Sequence, residues 1–327
     1  MLGFILRRLV SMIPFVLLTS LTVFVLIQLP PGDYLSNYAA QLAESNESID
    51  KAALDNLRER YGLGEPFWVQ YWKWITGVVQ GDFGHSFEWQ QPVSSLMGER
   101  MALTILLALA SLIFTWGLAL PIGIYSAVRK NTLGDYVFTF LGFLGLATPS
   151  FLLALVIMYI AVTVFGQSVG GLFSAEYEGA PWSFGKVMDL LAHLWIPMAV
   201  IGLSGTASLI RIMRANLLDE LNKPYVVTAR AKGLSETTLL LRYPVRIALN
   251  PFVSTIGWLL PNLVSGSVIV AVVLNLPIAG PLLLQALLSQ DMFLAGGFLL
   301  LLCCLTVIGT LISDILLALI DPRIRFR

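Results

Sequence analysis

Residues 225–251 read YVVTARAKGLSETTLLLRYPVRIALNP, a basic, glycine-punctuated stretch between two long apolar runs. The chemistry these residues offer is recognition rather than bond-making. Thr228, Ala229, Arg230, Ala231, Lys232, Gly233 and Leu234 fit a short helix with a stop: glycine takes the left-handed position and Leu234 folds back on Ala229. Ser235 caps a second helix, with Glu236 in its first turn where a negative charge suits the helix dipole. Arg230, Lys232, Arg242 and Arg246 make the pair basic, and Ala229, Ala231 and Gly233 are small enough for close approach to a groove. Three readings are open on composition alone. The stretch is a solvated loop, a helix drawn to anionic lipid, or a docking element for a soluble subunit.

Bond-making chemistry finds little support elsewhere. The sequence contains no H-E-x-x-H, no paired carboxylates within an apolar run, and no G-x-x-x-x-G-K-[ST] phosphate loop. His85 and His193 lie far apart without Cys or His companions, which argues against a metal site. Cys303 and Cys304 are neighbours in an apolar run, where helical geometry points them apart, so a disulfide between them is not expected. The other polar and small residues of interest sit inside apolar runs: Pro149 and Ser150, then Ser254, Asn262, Ser265, Gly266 and Ser267. Such residues line a wet pathway, or let helix backbones pack closely. Asp314 is expected to pair with an arginine at the membrane edge.

The elements that hold these residues follow from composition. The chain has 327 residues, 57% of them hydrophobic and 12% charged, with a mean hydropathy of +0.80. A soluble domain carries about 25% charged residues, and runs of about 20 apolar residues cross a bilayer as helices. The expected class is an all-α integral membrane protein with six spans, at 9–29, 101–127, 136–165, 194–212, 252–273 and 293–320. The first run follows Arg7 and Arg8 but exceeds the 7–15 residue core of a signal peptide, so it reads as a retained span. Placing both termini and the 128–135 and 211–251 loops on one face gives that face 14 of the 20 Lys and Arg. Positive loops stay inside, so both termini are expected in the cytoplasm. Residues 30–100 are then external. In that segment Ile49, Ala53, Leu57 and Tyr61 recur at helical spacing, with Ser48 as a cap and Asp50 in the first turn. The stretch 67–80, FWVQYWKWITGVVQ, has the Trp and Tyr content of a re-entrant or interfacial helix on the outer face.

The TARAKGL segment, with Pro251 following its glycine, resembles the cytoplasmic loop of ATP-binding cassette import permeases, most closely the oligopeptide/dipeptide/nickel family. Further stretches resemble the same family in order. They are ILRRLVSMIPFVLLTSLTVFVLIQLPPGDY, RYGLGEPFWVQYWKWITGVVQGDFGHSF, LATPSFLLAL, SGSVIV and LALIDPRIRFR. The resemblance implies one transmembrane permease domain over 1–327 that forms half of a translocation pathway. Its coupling loop would be 213–251 and its extracytoplasmic segment 30–100. It also implies a second homologous permease, two cytoplasmic ATPase subunits that bind ATP and Mg, and an external substrate-binding protein. This chain would carry no cofactor, contact no nucleic acid, and sit among membrane lipid in the bacterial inner membrane. Asp82, Phe83 and Gly84 are the implied contacts for the binding protein, and residues 228–234 the ATPase-coupling set. Short peptides are the first substrate class, with nickel chelates, opines and oligosaccharides as alternatives. A self-contained channel or secondary transporter would instead show internal repeats and ionisable residues at mid-membrane. Three positions depart from the family pattern. Val227 stands where the family has glutamate, Pro244 falls within the second loop helix and is expected to kink it, and Ala271 replaces an acidic residue.

Overall fold

In a computed structural model the described residues are 2–29, 65–86, 88–166, 170–258, 261–262 and 268–320. They are almost wholly helical. In chain order the elements are α1 (Leu2–Gln28), α2 (Phe67–Val79), β1 (His85–Ser86), β2 (Gln91–Pro92), α3 (Val93–Val128), α4 (Leu133–Ala147) and α5 (Ser150–Phe165). There follow α6 (Phe184–Leu221), α7 (Pro224–Ala231), α8 (Glu236–Arg242), α9 (Pro244–Ala248), α10 (Asn250–Ser254), a 3-10 turn (Thr255–Trp258), α11 (Val268–Val273), α12 (Ala279–Leu288) and α13 (Met292–Ile320).

Four of these helices, α1, α3, α6 and α13, are long and apolar enough to cross a membrane. The expected third span is two helices, α4 and α5, bent by 105° about Thr148 and Pro149. Proline cannot donate to the preceding turn and pushes the residue before it out of helical geometry, and Thr148 is accordingly extended, with ψ of 123°. The expected fifth span, 252–273, is not one uninterrupted helix among the described residues. α10 tightens into the 3-10 turn, whose buried Gly257 lies so close to α13 that an added Cβ would meet Thr310 Oγ1 at 3.0 Å. Among the described residues, four of the six expected spans are long apolar helices and another is the bent α4–α5 pair, while the expected 252–273 span falls partly outside the described residues. The expected helix over 48–61 lies outside the described residues.

The chain forms two compact units. One comprises residues 1–8, 103–281 and 306–327. At one end of its core Leu107, Leu190, Val200, Val270 and Ile278 are buried together; at the other Met213 and Leu217 of α6 pack with Val245, Ala248 and Phe252. Ser313 ties α13 to α10 by donating to the Val253 carbonyl at 2.8 Å. Asp314 pairs with Arg8 at 3.3 Å, as its place near the end of an apolar run suggested.

The second unit comprises residues 9–102 and 282–305. Within it the aromatic helix α2 packs on α1. Phe24 stacks edge-on with Phe67 and Tyr71, and the Ser20 and Tyr71 hydroxyls share a hydrogen bond of 2.8 Å. Trp68 and Trp72 of α2 remain exposed, as an interfacial helix requires. The short β1–β2 hairpin is fastened to the start of α13 by Asp291, which is buried. Its carboxylate accepts from the Ser86 hydroxyl at 2.6 Å and from the Leu294 amide at 3.1 Å.

Candidate functional site

The helical loop after α6 runs through α7, α8 and α9, residues 224–248. Lys223 is extended and Pro224 begins α7, where a missing amide costs nothing. α7 stops as anticipated: Gly233 has φ of +82°, and the amides of Lys232 and Gly233 donate to Thr228 and Arg230 carbonyls at 3.1 and 3.0 Å. Ser235 occupies the capping position of α8 but its hydroxyl donates to Thr238 Oγ1 at 2.9 Å, so it does not cap by its side chain. The second loop helix is interrupted. α8 ends at Arg242, Tyr243 turns the backbone, and Pro244 starts α9. The expected kink is therefore a new helix start, because a proline is well placed in a first turn.

The loop has a core of its own. Val226, Ala229 and Leu239 are buried together, with Tyr225 and Leu234 packed against them. Leu234 thus folds back as expected, but Ala229 faces this core rather than any outside groove. Helices of 8 and 7 residues are too short to stand alone in water. Burial of Val226 and Leu239, about 1.5–3 kcal/mol each, supplies what propensity does not. Two polar contacts add order. Arg230 forks onto Glu236, with Nε donating to Oε1 at 2.6 Å and Nη2 to Oε2 at 3.0 Å. Tyr225 donates to Glu220 at 2.5 Å. Burial and the neighbouring Glu220 carboxylate raise the Tyr225 phenol well above its ordinary value, and Arg230 holds the Glu236 carboxyl below its own.

What remains outward is a mixed apolar and basic face. Val227 is 56% exposed and Leu241 58%. Thr228, Arg230, Ala231, Lys232, Gly233 and Arg242 are exposed beside them. Of the seven predicted coupling residues, five are presented to solvent, Leu234 is half-buried and Ala229 is buried.

The other predicted residues are placed as follows. Asp82 Oδ1 accepts from the Gly84 amide at 3.0 Å in a tight turn, and both Asp82 and Phe83 are half-buried. Gly84 is buried with φ of +100°, and a Cβ there would meet Phe293 at 2.9 Å. The turn therefore seats the hairpin, with Asp82 and Phe83 its partly accessible part. Pro149 is exposed at the bend and Ser150 half-buried, while Asn262 is exposed. Ser265, Gly266 and Ser267 lie outside the described residues. Cys303 and Cys304 are free thiols.

Sequence reasoning missed three polar clusters. The first is the Asp291 clasp of the hairpin. The second lies where Asp189 of α6 accepts from the Ser174 amide and hydroxyl at 2.7 and 2.5 Å. Near it Lys186, which is buried, donates to the Ala180 carbonyl at 2.7 Å over the Phe173 and Trp182 rings. The third is an ion pair between Asp135 and Arg214, at 2.8 Å. The available signal for the last was an acidic residue at the start of one apolar run and a basic residue at the end of another.

Comparison with known proteins bears on the whole chain. The family described as "Binding-protein-dependent transport system inner membrane component" matches residues 119–326, and its N-terminal companion, "Binding-prot-dependent transport system membrane comp, N-term", matches residues 1–108. The chain is 35% identical over 328 residues to the oligopeptide transport system permease protein AppB of Bacillus subtilis (strain 168), covering 100% of both. It is 35% identical to a putative peptide permease protein of Brucella ovis, covering 99% of each. It is 33% identical to the glutathione transport system permease protein GsiC of Salmonella choleraesuis, again covering 100% of both.

Proposed function

The chain belongs to the binding-protein-dependent transport system inner membrane components, and from this we propose that it forms half of an import pathway for short peptides, driven through its 224–248 loop. As a member of this family it is a non-catalytic, multi-pass permease of a bacterial ATP-binding cassette importer. The observation that carries the finer reading is the loop itself. It is ordered by its own buried residues, yet turns an apolar and basic face outward. A merely solvated loop has no need of a core, and a lipid-bound helix has no need of a glycine-stopped turn between two short helices. A rigid, shaped surface suits a cleft in a soluble ATPase.

On this reading both termini and the loop are cytoplasmic, as the distribution of Lys and Arg requires. Two ATPase subunits bind ATP and Mg and close on each other. The loop helices follow them, and the spans rock between inward- and outward-open states. ATP biases this equilibrium by binding the two states differently. A second homologous permease completes the pathway and an external binding protein delivers substrate, with Asp82 and Phe83 as contact residues. Pro149, Ser150, Asn262, Ser265, Gly266 and Ser267 are the pathway candidates. Short peptides, glutathione included, are favoured because the full-length relatives are named for oligopeptide, peptide and glutathione transport.

The test is gentle solubilisation of native membranes, capture of this chain by a tag, and mass spectrometry of what accompanies it. A second permease and ATPase subunits are the expected company. A stable homo-oligomer without ATPase, under conditions that preserve a known transporter, would overturn the reading in favour of a channel.

A further inference from the structure

Asp135 lies in the first turn of α4 and is 2% exposed. Both of its oxygens are taken by one partner on α6: Arg214 Nε donates to Oδ1 at 2.9 Å and Nη2 to Oδ2 at 2.8 Å. Oδ2 also accepts from the Asn131 amide at 3.0 Å, which ties the turn ahead of α4 to the same carboxylate. A fork-on-carboxylate contact fixes direction as well as distance. Because the carboxylate is buried, losing either partner leaves an uncompensated charge.

The position of Arg214 on α6 gives the pair its interest. Met213 and Leu217, on either side of it in sequence, are fully buried in one cluster with Val245, Ala248 and Phe252. The last turns of α6 are therefore gripped by the segment that returns from the 224–248 loop, and also by α4. α4 in turn leads to the 105° bend at Thr148 and Pro149. A packed interior does not deform continuously, so movement of the loop reaches α4 through a discrete contact.

We propose that the Asp135–Arg214 pair is a positioning contact that carries displacement of the 224–248 loop through α6 into the bent α4–α5 segment. It thereby keeps ATP-driven loop movement in step with the transmembrane helices. This rests on the loop being the ATPase-docking element. The plainer alternative is a pair that only holds two helices together. It predicts that variants lower the amount of assembled protein but leave the response of each assembled complex unchanged.

The test is hydrogen exchange, with and without ATP, on the complete transporter in lipid nanodiscs. It compares the wild type with Asp135→Asn, Arg214→Lys and the charge-exchanged Asp135→Arg/Arg214→Asp. In the wild type ATP is expected to alter exchange both in α7–α9 and in α4–α5. In the single variants the loop should still respond, while the α4–α5 response falls at least about fivefold. Arg214→Lys keeps the charge and loses the fork, so it separates geometry from charge. Exchange of the two charges should restore part of the response. Undiminished α4–α5 response in the single variants would overturn the proposal. So would a wild type in which α4 stays silent while the loop responds, which decides the matter even if variants fail to assemble. A wild-type loop that is itself indifferent to ATP would sink the docking reading first, and this inference with it.

Discussion

Gly233 offers a graded test of whether the loop must be rigid to couple. Its φ is +82°, and no atom outside its neighbours lies within 4 Å of the place a Cβ would take. A side chain there meets no steric obstacle, so the whole penalty is the left-handed backbone, about 1–2 kcal/mol for an ordinary L-residue. That is roughly a 5- to 30-fold shift in a local equilibrium. Asparagine tolerates this region better than alanine, and a β-branched residue tolerates it worst. The expected order is therefore Gly, Asn, Ala, Val. The first assay is hydrogen exchange at Lys232 and Gly233, whose amides close α7. Gly233→Ala should open that turn about 5- to 30-fold more often. The second assay is ATP-driven uptake by the reconstituted transporter, which should decline in the same order while insertion is unaffected. Alanine behaving like glycine in both assays, or asparagine worse than alanine, would refute the claim that backbone strain at this turn controls the loop.

Three further outcomes follow from the same structure. Leu239→Ala removes a fully buried side chain from the loop core. A loss of about 2–5 kcal/mol should let trypsin cut at Lys232 and Arg242 and abolish recovery of ATPase subunits. Gly123→Ala in α3 places a Cβ 2.6 Å from Met213 Cβ and 3.2 Å from the Ile210 carbonyl oxygen. Overpacking of this kind costs about 1–3 kcal/mol and should lower the melting temperature in detergent. The Arg230–Glu236 clip should depend on pH and salt. Because Arg230 lowers the Glu236 pKa from its ordinary 4.5, the clip is fully formed above that value and is lost as pH falls through the lowered one. Proteolysis of the loop by an acid-stable protease should accelerate across that window, and high salt at neutral pH should weaken the clip too. A Glu236→Gln variant should abolish the pH dependence.

Much of the fold was legible because bilayer spans announce themselves by length. α1, α3, α6 and α13 each fall on an expected span, though α6 overruns its expected 194–212 at both ends. Hydropathy fades there, but helical hydrogen bonding does not. The α4–α5 bend was visible as Pro149, yet its angle was not, since a proline permits a kink without setting its size. The loop was legible through Gly233, Ser235 and the charge pattern. Pro244 was read for what it forbids within a helix rather than for what it favours at a helix start. The direction of Ala229 depended on the position of Leu239, a contact across the turn that spacing alone does not give. Asp291 and the contact of Asp189 with Ser174 were not legible, because the side-chain partner of each lies far along the chain and no local period marks such a pairing. For Asp135 the only signal was a charge at the edge of each of two apolar runs, which does not by itself say that the two meet.

The small core of the 224–248 loop separates two properties that proteins often entangle. Val226, Ala229 and Leu239 maintain its shape, while Val227, Lys232, Leu241 and Arg242 meet the outside and bury nothing within it. The outer set can therefore drift or be rewritten with little cost to folding. On the proposed docking role, a permease built this way would be retuned to a different motor by surface exchange alone, and hybrids that pair one membrane pathway with another's engine would become a matter of matching a few side chains.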